Sequence, residues 1–366
     1  MFSIAESKPH AARKRILANL YSKSSVQASA NLHQASQALI YERLLPLLTS
    51  AASTGEDIDV LYLNASVAMD FVTAFLFGKH NGSNFIQESD EASVWLRHYW
   101  SRRVYFFWDA EFPSIIGWAR RLGISLSPRF VDEATTYIGQ ITLDKCRLAE
   151  RSANKLEMGT GADEVPQNSF DLLKKGLDDR PTSRGDEDVP DLRIASELHD
   201  SLIAGHDTTG IALVYLMCEL SRHPTLQANL RTEFRDFSAS IPFSPNGPQK
   251  TLPTPRLLDS LPLLHAVITE TLRLHAPIPG PQPRKTPQTP TSIAGSPPLP
   301  PGVRISSQAY TLHRNGDVFP DPEAWRPSRW LDSSDEKKAE MNKWFWAFGS
   351  GSRGCIGRNL AMQGKS

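Results

Sequence analysis

Residues 348–357 read Phe348-Gly349-Ser350-Gly351-Ser352-Arg353-Gly354-Cys355-Ile356-Gly357, and this run governs the reading of everything else in the chain. Glycines at 349, 351 and 354 let the backbone turn sharply, adopt positive φ and approach a flat ligand closely. The loop therefore aims one thiol. Two rival patterns overlap it. Gly349-x-Gly351-x-x-Gly354 fits a dinucleotide fingerprint, but that motif needs an acidic residue about 20 positions on, and only twelve residues follow Gly354. Gly364-Lys365-Ser366 resembles the end of a phosphate-binding loop, yet the glycine required five positions earlier is Asn359. A third reading is bland: a single buried cysteine usually serves as a small apolar residue. The surrounding positions favour a loop that presents a thiolate.

Composition narrows the partners. Forty Lys and Arg balance forty Asp and Glu, so no field of one sign recruits nucleic acid or anionic lipid. The three cysteines, Cys146, Cys218 and Cys355, cannot all pair and form no Cys-x-x-Cys spacing, which fits a reducing compartment better than a disulfide or zinc framework. A spanning helix needs about 20 mostly apolar residues, and the longest uninterrupted apolar run, Ile211 to Cys218, has eight. No membrane span is expected. The basic first twenty residues, with Lys8, Arg13, Lys14 and Arg15, lack the apolar block of a secretory signal.

Outward from the loop, apolar residues recur at helical spacing from Ala5 to about Glu150, as in Val60, Leu63, Val67, Phe71 and Phe75. The seven aromatics between Trp95 and Trp108 read as core or pocket wall rather than a membrane-facing surface. Residues 152–189 turn polar and rich in Gly, Asp, Pro and Ser, the composition of a flexible surface connection. Pro190 then occupies a first-turn position, and no proline recurs before Pro224, so one helix of up to about 50 Å is possible. A shorter helix spans about Leu261 to Leu274 and is stopped by Pro277 and Pro279. Ten prolines between Pro277 and Pro301 allow edge strands at most, and Gly302 to Tyr310 alternates weakly like a short strand. No βαβ alternation or repeat is present.

Phe348-x-x-Gly351-x-Arg353-x-Cys355-x-Gly357 resembles the haem-binding signature of the cytochrome P-450 family, and Arg358-Asn359-Leu360-Ala361 continues as that family's next helix does. The resemblance runs from His10 to Met362. It implies a mainly α (α+β) fold, a helical domain with small β-sheets over 1–366, with haem b between the long helix and the cysteine loop. Cys355 would be the axial iron ligand, with Phe348 and Gly349 against the cofactor. A thiolate suits that task because its electron density favours O–O cleavage. Arg353 matches a propionate-binding arginine, as does Arg284, and His10 with Lys14, one helical turn apart, would add further propionate contacts.

Two more constellations follow. Glu270 and Arg273 meet on one helix face, a pair that is ordinarily solvated and of little energetic consequence. The resemblance makes it part of a buried network with Arg329, from Trp325-Arg326-Pro327-Ser328-Arg329-Trp330, that holds the cysteine loop. Ala204-Gly205-His206-Asp207-Thr208-Thr209 lies inside the long helix, where Gly205 and Gly210 would each cost about 1 kcal/mol relative to alanine. Helix packing is the plain explanation. The stretch is also similar to the family's oxygen-binding groove, in which Thr208 would hydrogen-bond dioxygen, Asp207 would relay protons, and His206 would be incidental.

These features imply a haem-thiolate monooxygenase that hydroxylates or epoxidises a small apolar molecule, in secondary metabolism by analogy. It would use O2 and NAD(P)H electrons from an NADPH–cytochrome P-450 reductase, and act as a monomer. The family setting is the cytoplasmic side of the endoplasmic reticulum. The family's membrane anchor, first strands and final strands have no counterpart here, so the expected fold is incomplete at both ends. A truncated, catalytically inactive haem-binding chain is the alternative.

Overall fold

The computed structural model describes residues 7–158, 168–177, 192–238, 252–293 and 295–365. The chain falls into two compact units, Met1–Gly210 with Pro245–Leu252, and Ile211–Ser244 with Pro253–Ser366. The described residues are mainly helical, with one two-stranded sheet, the fold class the sequence implies.

The first unit is built on α1 (Ser7–Ala18), α2 (Val60–Phe77), α3 (Ser89–Ser101), α4 (Arg129–Met158), α5 (Ser169–Leu177) and the first part of α6 (Leu192–Arg222). Helix α2 is its centre, with Ala68, Met69 and Phe77 fully buried. It begins at Asp59, whose carboxylate accepts from the backbone N–H of Leu61 and Tyr62 at 2.8 and 3.2 Å, satisfying donors that have no partner in a first helical turn. It ends at Gly78, which takes φ +89°. Inside the helix, buried Asp70 accepts from Ser83 Oγ at 2.6 Å, Phe85 N at 2.7 Å and Arg43 Nη1 at 3.1 Å. These bonds fasten the following turn to the helix.

Three expectations change here. Residues 152–189 are not all surface connection: α4 continues to Met158, and α5 buries Phe170 and Leu173 against its neighbours. Asn168 starts α5 by accepting from Asp171 N at 3.0 Å. Two apolar residues three apart suffice for a short docked helix, and averaging over a polar window hides them. The remainder of that stretch, 159–167 and 178–191, with Pro190, lies outside the described residues. The aromatic run also divides: Trp95 and Tyr99 are core, whereas Phe107 and Trp108 are more than half exposed. Finally, α2 and α6 are each long and apolar enough by length and composition to cross a bilayer. An uninterrupted-run criterion misses them because residues such as Asn64 and Asp70 break the run. In α2 the apolar window is 72% buried within the protein, the setting of a core helix.

The second unit holds the rest of α6, α7 (Pro224–Ser238), α8 (Pro262–Leu274), β1 (Pro281–Lys285), β2 (Arg304–Gln308) and α9 (Arg358–Lys365). Leu264, Val267, Ile268 and Leu272 of α8 pack with Ala212, Leu230 and Trp325 into its core. The N-terminus of α8 is capped from another helix: Glu233 of α7 accepts from Leu263 N at 2.8 Å and Leu264 N at 3.0 Å. Strands β1 and β2 pair antiparallel, Pro281 opposite Gln308 and Lys285 opposite Arg304. A two-stranded ribbon has only edges, so it tolerates prolines that cannot donate to a ladder.

Candidate functional site

The cysteine loop has the geometry its glycines permit. Gly349 and Gly351 adopt φ +63° and +64°, Gly354 N donates to Gly351 O at 3.0 Å, and Cys355 N donates to Phe348 O at 2.8 Å. A side chain at Gly349 would sit 3.3 Å from Gln282 Oε1, and one at Gly354 would sit 3.2 Å from Gly351 O. The loop is thus closed on itself, and Cys355 is left exposed. Half-buried Phe348 lies beneath two cations, the Arg358 guanidinium at 5.6 Å and the Lys365 ammonium at 5.8 Å from its ring centre. Burial pushes Lys365 down to about 8, while Cys355 acts in the opposite direction.

The donor set fits haem. Among the described residues no three His, Cys, Asp or Glu side chains gather to hold a metal ion. An exposed thiol presented by a glycine-rich loop suits an iron whose remaining ligands come with its own macrocycle. Arg353 is half-buried in the same loop. Arg284 shares a face of β1 with Gln282, the residue that abuts Gly349, and its Nη1 donates to Pro283 O at 2.9 Å.

Glu270, Arg273 and Arg329 meet in the interior. Arg273 grips Glu270 through two bonds, Nε to Oε2 at 2.9 Å and Nη2 to Oε1 at 2.8 Å. Arg329 Nε adds a bond to Oε1 at 2.9 Å, as does Arg326 N, and Trp330 Nε1 donates to Oε2 at 2.9 Å. The arginines spend their other donors on backbone carbonyls, Arg273 on those of His313, Pro322 and Ala324, and Arg329 on those of Pro320, Asp321 and Ala324. Two residues that carry this arrangement had no signal in the sequence. Trp330 was visible only as an aromatic neighbour of Arg329. His313 is fully buried, donates from Nδ1 to Arg273 O at 2.7 Å and accepts at Nε2 from Trp346 N at 2.7 Å. The partners fix this tautomer. Burial pushes its pKa down to about 4, so it is neutral at pH 7. Through it α8 is tied to the strand of chain two residues before Phe348. A lone histidine between Leu312 and Arg314 belongs to no motif that could have revealed this.

Thr208 and Asp207 lie on α6 within the first unit. Thr208 Oγ1 donates to Ala204 O at 2.7 Å, which leaves its lone pairs available. Asp207 Oδ1 lies 3.7 Å from Arg103 Nη1. Burial raises its pKa above the usual carboxylate range, against the effect of Arg103 and Tyr99. His206 is buried edge-on to Trp95 and Tyr99, with centroids 4.6 and 4.7 Å away, and burial pushes it down to about 3. The interior glycines have a packing reason. Gly205 faces Val72 of α2, where a Cβ would come within 2.9 Å, and Gly210 faces the Ala65 backbone at 3.2 Å. His10, buried, and Lys14, half-buried, are a turn apart on α1; Arg13 between them reaches Glu197 of α6 at 3.9 Å.

Comparison with known proteins agrees with this arrangement. The family model for cytochrome P-450 matches residues 5–364. Cytochrome P-450 monooxygenase avaI of Aspergillus versicolor is 29% identical over 100% of this chain and 81% of its own length. Cytochrome P-450 71B6 of Arabidopsis thaliana is 30% identical over 94% of this chain, which spans 63% of that relative. The crystal structure of the cytochrome P-450DA haem domain superposes with a TM-score of 0.65 at 18% identity, covering 96% of this chain and 68% of that one, a likeness of fold. The chain therefore belongs to the cytochrome P-450 family of monooxygenases.

Proposed function

We propose that the protein is a haem-thiolate monooxygenase that inserts one oxygen atom of O2 into a small, largely apolar organic molecule, by hydroxylation or epoxidation. Cys355 would hold the haem iron through its thiolate, and the loop that presents Cys355 is the observation that carries the reading. Haem held by a thiolate supplies oxygen activation, because the sulfur donates electron density that favours O–O cleavage. The chain's own residues do the rest. Arg353 and Arg284 would neutralise the haem propionates, with His10 and Lys14 as further donors, and Phe348 and Gly349 would pack against the macrocycle. Thr208, whose hydroxyl donates to Ala204 O, would accept a hydrogen bond beside bound dioxygen, and Asp207 would hold and return protons. The Glu270–Arg273–Arg329 network, with Trp330 and His313, keeps the cysteine loop in register. Electrons come from NAD(P)H through an NADPH–cytochrome P-450 reductase on the cytoplasmic side of the endoplasmic reticulum. Secondary metabolism is the setting by family analogy.

The test is spectroscopic. Purified protein reconstituted with haem, then reduced under carbon monoxide, is expected to show the strongly red-shifted Soret band of thiolate ligation, and Cys355→Ser to lose it. A histidine-type spectrum, or no bound haem, overturns the reading.

A further inference from the structure

Helix α3 carries two stripes. Ala92, Trp95, Leu96 and Tyr99 recur at helical spacing and are buried, so they form its core face. Beside them, Ser93, Arg97, Trp100 and Ser101 stand at i, i+4, i+7 and i+8, a second face of the same helix. That face and Tyr62, from the first turn of α2, line a cleft of about 540 Å³. All five residues belong to the first unit, and the cleft is within the range of about 300 to 1,000 Å³ that small-molecule sites occupy.

The walls combine an aromatic corner with free donors. The Trp100 and Tyr62 rings meet edge-on, their centroids 5.1 Å apart and their planes at 85°, and both residues are half-buried. Arg97 is exposed, and its guanidinium makes no ion pair or hydrogen bond among the described residues; neither do the Ser93 and Tyr62 hydroxyls or the Trp100 indole N–H. Ser101 Oγ donates to His98 O at 3.0 Å. No Asp or Glu belongs to the described lining. The cleft thus offers one positive charge and several hydrogen-bond donors beside two rings, with no carboxylate of its own to compete for them.

We infer that this cleft binds a small, planar aromatic carboxylate, whose ring system packs on Trp100 and Tyr62 while its carboxylate pairs with the Arg97 guanidinium. The lining selects the ligand. A guanidinium presents parallel N–H groups that match a carboxylate, and Ser93, one turn earlier on the same stripe, adds a hydroxyl donor. A cation would be repelled by Arg97, and a flexible aliphatic acid would lose more conformational freedom against two rings than a rigid aromatic one does. The inference does not rest on the monooxygenase reading, because no lining residue belongs to the haem-binding set.

The experiment is calorimetric titration of the full chain reconstituted with haem, using naphthoate and its neutral counterpart naphthamide. Wild type is expected to bind naphthoate about tenfold or more tightly than naphthamide, the effect of a charge-assisted hydrogen bond, and to lose that margin as salt rises. Arg97→Gln abolishes the preference. Arg97→Lys restores it only in part, because an ammonium cannot form the bidentate pair. Ser93→Ala weakens naphthoate alone, and Trp100→Leu weakens both ligands. Failure of wild type to bind naphthoate, equal binding of the two ligands, or an undiminished preference in Arg97→Gln overturns the inference. So does a naphthoate-induced Soret shift that survives Arg97→Gln and accounts for all the heat, since the ligand is then beside the haem. Absence of the thiolate-type Soret band from wild type instead overturns the proposed function, and the calorimetry decides the cleft separately. Should Trp100→Leu fail to fold, the exposed Arg97 variants carry the test.

Discussion

Glu270 is a carboxylate with no exposure that accepts five hydrogen bonds, from two guanidinium groups, an indole and a backbone N–H. Its motif of two residues three apart is common on solvated helices; what distinguishes it here is the absence of water. Removing one partner of such a network strands the other charges in a medium that solvates them poorly, at a cost of about 3 to 5 kcal/mol. Glu270→Ala is accordingly expected to destabilise by that amount in urea unfolding, more than Arg314→Ala, whose partner Glu323 is 69% exposed. Adding Arg273→Met to Glu270→Ala should recover part of the loss, since the second change removes a charge the first left unpaired. Glu270 and Arg273 were legible from the sequence through family resemblance. His313 and Trp330 were not, because a hydrogen-bond partner 40 or 60 residues away leaves no local trace.

At the scale of elements, glycines report on helix contacts. Gly210 in α6 and Gly139 in α4 have the same intrinsic cost in a helix, yet their surroundings differ. A Cβ at Gly210 meets the Ala65 backbone and Asn64 O at 3.2 and 3.3 Å, whereas one at Gly139 meets nothing within 4 Å. Backbone cannot swing aside as a side-chain tip can. Gly210→Ala is therefore expected to destabilise by about 1 to 3 kcal/mol through overpacking, and Gly139→Ala to stabilise by about 0.5 to 1 kcal/mol through backbone entropy and propensity, both read from thermal or urea midpoints. The long helix itself was foreseen within two residues of its observed C-terminal end, because prolines bound it. Helix α5 was not: Phe170 and Leu173 are too few to lift a polar window above the composition of a linker.

For the whole molecule, a chain of zero formal charge has its acid sensitivity set by individual buried groups. His206 and His313, one in each unit, are held neutral by burial, at about 3 and about 4, against about 6.5 in an unfolded chain. Between those values the unfolded state binds more protons, so stability rises with pH. The contribution is complete above about pH 6.5 and is lost as pH falls through the folded values. Urea midpoints should therefore decline from pH 6.5 toward 4. His206→Phe is expected to flatten part of that slope with little change at pH 7, because the ring keeps its place between Trp95 and Tyr99 and the lost Nε2 has no partner. An unaltered slope in that variant would count against His206 as an acid-sensing group.

The sequence by itself determined the family, the helical class and the loop around Cys355. Those depend on local requirements: positive φ at glycine, the helix-stopping of proline, and a thiol at a fixed offset from an aromatic and an arginine. Only the tertiary structure decided that Glu270 is buried rather than solvated, that His313 links α8 to the approach of the cysteine loop, and that Asp207 lies beside Arg103. Each of those depends on which distant backbone and side chain arrive to replace water around a polar group, and that is set by packing, not by spacing along the chain.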